Sequence, residues 1–299
     1  MVAALIPAMM ALFVLLTVPA SMPYEEDPGD IPVWGVPAWR DEFTGDIVDP
    51  HKWTVWDRST HGSYSWDWAV LSADAVTVDD GMLRIEMTQL DTSVYSGEKE
   101  RWWRTGALDT AATHNEQFGR WEIRAKIPTA ASSSSGVWPA FWLRNGPALG
   151  EIDIMEAWGD PTDRPRSPDL AETSTLTLHE RTVAPFGERA AWTYEHHVPE
   201  LSPPYTTAGD FHTWAIEYTP TDFKAFFDGV LVAHVTPDGT HDTTALPWVW
   251  EETFDSPWHM RLTLAMGDPY WTPDPPPGAA PMPAEFLVDY VRYWALPAE

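Results

Sequence analysis

The chain has 299 residues, 18 basic and 45 acidic, and its formal net charge of −27 argues against nucleic acid, anionic lipid and heavily sulfated polymers as partners. It contains no cysteine, which excludes disulfides and thiolate metal sites, while 44% of its residues are apolar, enough for a sizeable core. Its 19 tryptophans suit stacking on sugar rings and filling a core equally well.

The N-terminal segment predicts an exported protein. Val2 to Ala20 is apolar and uncharged, and Val18-Pro19-Ala20 offers small residues for signal-peptidase cleavage, although no Lys or Arg precedes the run. We therefore interpret 1–21 as a signal peptide, with an uncleaved anchor as the alternative, since about 20 apolar residues span a bilayer. Residues 22–34 are acidic and Pro-rich, typical of a linker, and 35–299 form the remaining domain.

The rest of the chain has the pattern of short strands. Apolar and polar residues alternate along Gly119–Pro128, and Asp228-Gly229 between Phe223–Phe227 and Val230–Val235 is a hairpin signal. Convincing long amphipathic helices are missing, so the pattern predicts an all-β sandwich or barrel. Further strands are predicted at Ala75–Val78, Met82–Met87, Val137–Leu143, Ile152–Met155, Thr175–His179, Phe211–Tyr218, Trp258–Met266 and Phe286–Trp294.

Three carboxylates stand close together in an apolar strand. In the segment Gly150–Glu156, alternation puts Glu151 and Asp153 on one face, and Glu156 has the wrong parity to join them. A β-bulge, which adds one residue to the strand, would correct the parity. Clustered carboxylates separate their pKa values, and glycoside hydrolysis needs one ionised and one protonated group. A solvated strand face and a calcium site are the alternatives.

Beyond these carboxylates, the sequence resembles glycoside hydrolase family 16. EIDIME at 151–156 is similar to the family's bulged E-x-D-x-x-E motif, found in laminarinase-like, agarase-like and carrageenase-like members. The other matching segments run in order from about residue 35 to 295: Trp39–Phe43, Asp80–Leu83, Phe118–Pro128, Gly136–Leu143, Phe211–Tyr218, Phe227–Gly229 and Phe286–Trp294.

The resemblance implies a fold and a reaction. The fold is a β-jelly-roll sandwich of the concanavalin A-like lectin/glucanase type, with a substrate cleft across its concave face. The reaction is a retaining double displacement in which Glu151 is the nucleophile, Glu156 the general acid/base and Asp153 their modulator. No organic cofactor is required.

Five further residues are predicted by the resemblance to contact substrate. Trp138 and Trp142 would lie near the cleaved sugar, although Trp142 is also compatible with a core position. Arg104 and Trp103, with their neighbour Trp102, match the donor-side stretch. His179 matches an acceptor-side Leu-His pair, and a structural histidine is the alternative.

The resemblance also implies a structural calcium. Its ligands would be Glu42 of the opening strand, Gly81 of a turn and Asp289 of the closing strand, all oxygen donors that suit a hard cation. Ion pairing of the two carboxylates with basic neighbours is the alternative.

The expected function is hydrolysis of internal linkages in a β-1,3- or mixed-linkage glucan by a secreted, monomeric enzyme. A galactan-cleaving enzyme, a transglycosylase and a catalytically silent recognition module are the alternatives. The loops at 159–174 and 183–208 match no family segment, so the sugar and linkage stay open. The polysaccharide is the expected partner, with neither nucleic acid nor a membrane unless the N-terminal segment is uncleaved.

Overall fold

A computed structural model of the chain describes residues 34–64, 67–129, 134–145, 150–159, 173–181, 189–197, 209–235, 254, 256–267, 275 and 277–297. The predicted signal peptide or anchor and most of the predicted linker lie outside these residues, as do most of the predicted loops at 159–174 and 183–208. Within the second of these loops the described residues, Arg189–His197, form a strand, so the loop prediction was wrong there. Among the described residues, helices are too short to cross a membrane.

The described chain is built almost entirely of β-strands. One short helix, α1 (Arg58–His61), and a 3₁₀ turn (Ala73–Ala75) interrupt them. The strands are β1 (Trp39–Asp41), β2 (Thr54–Val55), β3 (Ala69–Leu71), β4 (Val76–Asp79), β5 (Met82–Ser96), β6 (Lys99–Thr105), β7 (Ala107–Asp109), β8 (Gly119–Lys126), β9 (Val137–Asn145), β10 (Gly150–Glu156), β11 (Thr173–Arg181), β12 (Arg189–His197), β13 (His212–Tyr218), β14 (Phe223–Phe227), β15 (Val230–Val235), β16 (Trp258–Met266) and β17 (Ala284–Ala295).

The strands form two sheets. The ten-stranded sheet runs β15-β14-β13-β8-β17-β5-β6-β3, with β1 on β17 and β4 on β5, and the seven-stranded sheet runs β12-β11-β10-β9-β16-β7-β2. Neighbouring strands are antiparallel except β3 and β6, which are parallel. The all-β jelly-roll prediction is confirmed.

Strand alternation fills the core between the sheets. Trp121, Ile123 and Ala125 of β8 are fully buried, as their spacing predicts, while Arg120 and Glu122 on the opposite face form an ion pair at 2.6 Å. From the seven-stranded sheet, the buried side chains include Phe141, Leu143, Ile152 and Met155. The side chains that alternate with these core positions along each strand lie on the outer face of the seven-stranded sheet, and we call this face the site face.

The predicted hairpin is present between β14 and β15. Asp228 and Gly229 have φ of 46° and 76°, the left-handed values that a tight two-residue hairpin turn requires. The Asp228 carboxylate also accepts a hydrogen bond from the Thr213 amide at 2.8 Å, which ties the turn to β13.

Candidate active site

A bulge in β10 brings the three carboxylates to the site face. Glu151 and Asp153 lie opposite His179 and Thr177 of β11, and the register then shifts so that Glu156 lies opposite Thr175. The pairing with β9 shifts at the same place. The predicted bulge is therefore present, and Met155 takes the core position that a regular strand would give to Glu156.

Glu156, like Asp153, is a buried member of the cluster. Its residue is 8% exposed, and Trp138 Nε1 donates a hydrogen bond to its Oε1 at 3.1 Å. Burial raises the pKa of Glu156 well above its ordinary value, and repulsion from Asp153 and Glu151 adds to the effect, while His179 opposes it. Glu156 is therefore the carboxyl suited to holding a proton and donating it.

Glu151 has the opposite environment. Its Oε2 is ion-paired with Arg144 Nη1, and its Oε1 lies 3.8 Å from His179 Nε2. Cationic or hydrogen-donating groups beside a carboxylate stabilise its ionised form. The two glutamates of β10 therefore lie in different surroundings: Glu156 is buried, which favours its protonated form, and Glu151 lies beside a cation, which favours the ionised form. A carboxylate pair that supplies both an acid and a nucleophile needs such a difference.

His179 and Asp153 link the two glutamates. His179 Nε2 lies 2.8 Å from Asp153 Oδ2, and both side chains are mostly buried. Glu151, Asp153 and His179 each offer a ligand atom within 4.8 Å of the others, a spacing that a metal ion could use. The positively charged guanidinium of Arg144, which pairs with Glu151, would repel a metal ion bound by these three residues. The geometry therefore favours an organic substrate over a metal.

Trp138 and Trp142 both lie on the site face. Trp138 is partly exposed beside Glu156, and its ring centroid lies 6.0 Å from that of Trp158. Trp142 is 8% exposed, donates from Nε1 to Thr263 Oγ1 at 3.3 Å, and has the Arg261 guanidinium 4.8 Å from its ring centroid. Trp138 is consequently the ring that is accessible to a sugar, and Trp142 is largely covered.

The structure contradicts two of the predicted substrate contacts. Trp103 is fully buried in the core, so its ring has no surface for a sugar. Arg104 lies opposite Thr88 of β5, with its Nη2 4.0 Å from Glu86 Oε1. Both are residues of the other sheet, where alternation sends Trp103 inward and Arg104 to the face remote from the carboxylates. Their neighbour Trp102 is partly buried against the core.

Sequence reasoning missed a row of polar residues on the site face. Arg144 pairs with Glu151, His259 lies opposite Arg144, and Arg261 lies opposite Trp142. Beyond them, Trp56 Nε1 donates to Asp109 Oδ2 at 3.0 Å, and the Arg261 guanidinium lies 5.0 Å from the Trp56 ring centroid. One signal for Arg144 was present in the sequence: it lies an even number of positions from Trp138 and Trp142, so alternation along β9 places all three on the same face.

The two carboxylates among the predicted calcium ligands are engaged with arginines. Both Glu42 carboxylate oxygens accept hydrogen bonds from Arg292 at 2.9 Å, and Asp289 Oδ2 lies 2.5 Å from Arg124 Nη1. Gly81 occupies the turn before β5 with a φ of 73°. A calcium ion there would have to displace a guanidinium, so these side chains do not fit the ion as they stand, and calcium stays a prediction.

The environment of Glu156 predicts a stability effect that depends on pH. Its folded-state pKa lies above the ordinary 4.5, so between the two values the unfolded chain releases a proton that the folded chain keeps. Stability is consequently lost as pH rises above 4.5, and Glu156→Gln, which has no proton to release, is expected to raise the melting temperature at neutral pH.

Thermal melts over a pH series measure this effect. The gain should vanish below pH 4.5, where Glu156 is protonated in both states. Glu285→Gln, at a partly exposed position in β17, is the matched control and should change the melting temperature little at any pH. An equal gain in melting temperature at every pH would contradict the view that the gain comes from the raised pKa of Glu156.

Comparison with known proteins places this site in a family. A family model described as "Beta-porphyranase A-D, GH16 domain" matches residues 35–296. The chain is 29% identical over 274 residues to glucan endo-1,3-beta-glucosidase A1 of Niallia circulans, covering 86% of this chain and 37% of that protein. It is also 29% identical over 276 residues to a beta-glucanase of Rhodothermus marinus, covering 88% and 86%.

The fold agrees with that placement. The laminarinase catalytic domain of Thermotoga maritima superposes with a TM-score of 0.69 at 24% identity, covering 88% of this chain and 99% of that one. The chain spans little more than a third of the length of the Niallia circulans protein, so the likeness to that protein concerns one of its parts.

Proposed function

The chain belongs to glycoside hydrolase family 16, and on that premise we propose that it is a retaining endo-β-glucanase acting on β-1,3- or mixed-linkage glucan. The observation that carries the proposal is the pair Glu151 and Glu156, which share one face of β10 in opposite electrostatic surroundings. The glucanases to which the chain is similar support a glucan substrate.

The proposed reaction has two displacements. Glu151 attacks the anomeric carbon, and the protonated Glu156 gives its proton to the departing glycosidic oxygen. Glu156, now ionised, takes a proton from water, whose oxygen displaces Glu151 and restores the enzyme. This geometry requires the two carboxyl groups to lie about 5–5.5 Å apart. Trp138, bonded to Glu156, also offers a ring to the sugar beside it.

A galactan-cleaving activity is the second candidate. Arg261 places a cation on the site face beside the Trp142 ring, which suits a polymer with anionic substituents despite the acidic chain as a whole. The matching family model is itself named for β-porphyranases. Porphyran and carrageenan therefore belong in any substrate panel.

Export fits either substrate, because a polysaccharide does not cross a membrane. We propose that the protein works outside the cell, with residues 1–21 as the export signal.

Product analysis tests the proposed function. Purified protein is incubated with laminarin, mixed-linkage β-glucan, agarose, carrageenan and porphyran, and products are followed by chromatography and proton NMR. We expect oligosaccharides from a β-glucan whose newly formed reducing ends are first the β-anomer, because double displacement retains configuration.

Other outcomes would redirect the assignment. Cleavage of a galactan alone would select the second candidate, and products longer than the starting chains would indicate transglycosylation. An α-anomeric first product would contradict the double displacement. Binding to one polymer with no product from any would instead support the silent recognition module.

A further inference from the structure

Arg144 and Glu151 form a pair imposed by strand register. They are direct partners across β9 and β10, on the same face, and Arg144 Nη1 bonds Glu151 Oε2. Their side chains are 16% and 15% exposed, so the pair is largely shielded from water. An ion pair that is so shielded is screened far less than a surface pair.

A neutral histidine lies on the other side of Arg144. His259 of β16 is its direct cross-strand partner, and Arg261 Nε donates a hydrogen bond to His259 Nε2 at 3.0 Å. Burial, together with the positive charges of Arg261 and Arg144, lowers the pKa of His259 to about 4, so this histidine is uncharged near neutral pH. Of these two cross-strand partners of Arg144, Glu151 is therefore the charged one.

We propose that Arg144 is a positioning residue for the nucleophile: it holds Oε2 of Glu151, presents Oε1 for attack, and stabilises the carboxylate when it departs. This inference rests on the proposed double displacement. In the first step an Oε1 electron pair bonds the anomeric carbon, the glycosidic bond breaks, and the departing oxygen takes the proton from Glu156.

The second step, in which the Glu151 carboxylate is released, is the one that Arg144 favours. Water oxygen bonds the anomeric carbon, its proton passes to Glu156, and the electron pair of the broken ester bond returns to Glu151. The ester is neutral and the released carboxylate is an anion, so a fixed guanidinium stabilises the carboxylate more than the ester. Arg144 thereby shortens the lifetime of the glycosyl-enzyme.

The test compares Arg144→Met with Arg144→Lys, on the polymer that the wild-type protein cleaves. Loss of one charge-assisted hydrogen bond to the nucleophile is expected to lower kcat by about 10- to 100-fold. KM should stay level or fall, because an intermediate that persists lowers it. With an aryl β-oligosaccharide, the Met variant should show a burst of aryl product and an ester on Glu151 by mass spectrometry.

The pH profile separates this role from a merely structural one. Glu151 faces Arg144 from β9 and His179 from β11, with Asp153 and Glu156 on its own strand. In Arg144→Met only the charge beside Glu151 changes, so the acidic limb of kcat/KM, which reports ionisation of Glu151, should move to higher pH. Arg144→Lys, which keeps the charge, should show a smaller shift. Arg84→Met removes an Arg–Glu pair of 3.0 Å from the remote face of the ten-stranded sheet and should behave as wild type.

Wild-type kcat and an unmoved acidic limb in Arg144→Met would overturn the proposal, and so would a raised KM at constant kcat, which would make Arg144 a substrate contact. If the Met variant fails to fold, Arg144→Gln carries the same expectations. If the wild-type protein cleaves no polymer, the proposed function fails and the role of Arg144 fails with it. An active wild-type enzyme with unaffected variants removes the role of Arg144 alone.

Discussion

Glu151→Ala is expected to abolish turnover while the fold is retained. Glu151 is the carboxylate that pairs with Arg144 on the site face, and its removal takes away the group that forms the ester in the proposed reaction. Removing the nucleophile of a covalent hydrolase costs about 10⁶-fold in kcat, so we expect residual activity at that level. Steady-state rates on the polymer that the wild type cleaves measure the loss.

Azide provides the control for this variant. With an aryl β-glycoside, azide can enter the space left by the carboxylate and attack the same face, which gives a glycosyl azide of inverted configuration. Near-UV circular dichroism should match the wild type, since Glu151 contributes nothing to the core. Activity near the wild-type rate in Glu151→Ala would contradict the assignment of Glu151 as the nucleophile. Azide products of retained configuration would indicate that Glu151 is the general acid/base and Glu156 the nucleophile.

Glu156→Gln is expected to lower kcat on the polymer by about 10²- to 10⁴-fold, the usual contribution of general acid–base catalysis. The amide keeps the size of the side chain and can still meet Trp138, but it has no acidic proton to give. The basic limb of the pH–rate profile, which reports ionisation of the acid, should disappear with it.

A substrate with a good leaving group distinguishes this loss from misfolding. An aryl oligosaccharide with a weakly basic phenol needs little protonation, so the first step should stay fast in Glu156→Gln and the second should become limiting. A burst of phenol followed by slow turnover is therefore expected. Equal losses on the aryl substrate and on the polymer would contradict the role of Glu156 as the acid.

The sequence was most informative where structure depends on local pattern. Val230–Val235 and Trp258–Met266 are strands with the predicted limits, because alternation and the flanking turn residues define them without help from the rest of the chain. Asp228-Gly229 adopts the left-handed turn that its residue types favour. The bulge was predictable too, since three carboxylates can share a face of β10 only if the parity changes.

The motifs gave the family, and the family match over residues 35–296 confirmed it. They were less reliable for single side chains. Trp103 and Arg104 matched a stretch of substrate contacts by position along the chain, yet they lie in the core and on the remote face of the ten-stranded sheet.

The sequence by itself determined the strands, the bulged carboxylate cluster and the family, because each is recognised from short segments whose residues are neighbours in the chain. Only the tertiary structure decided which side chains face Glu151. Arg144 meets Glu151, and His179 approaches from β11, through the registers of separate strand pairs. Register depends on the whole set of pairings in a sheet, and a shift of one residue would send each side chain to the opposite face.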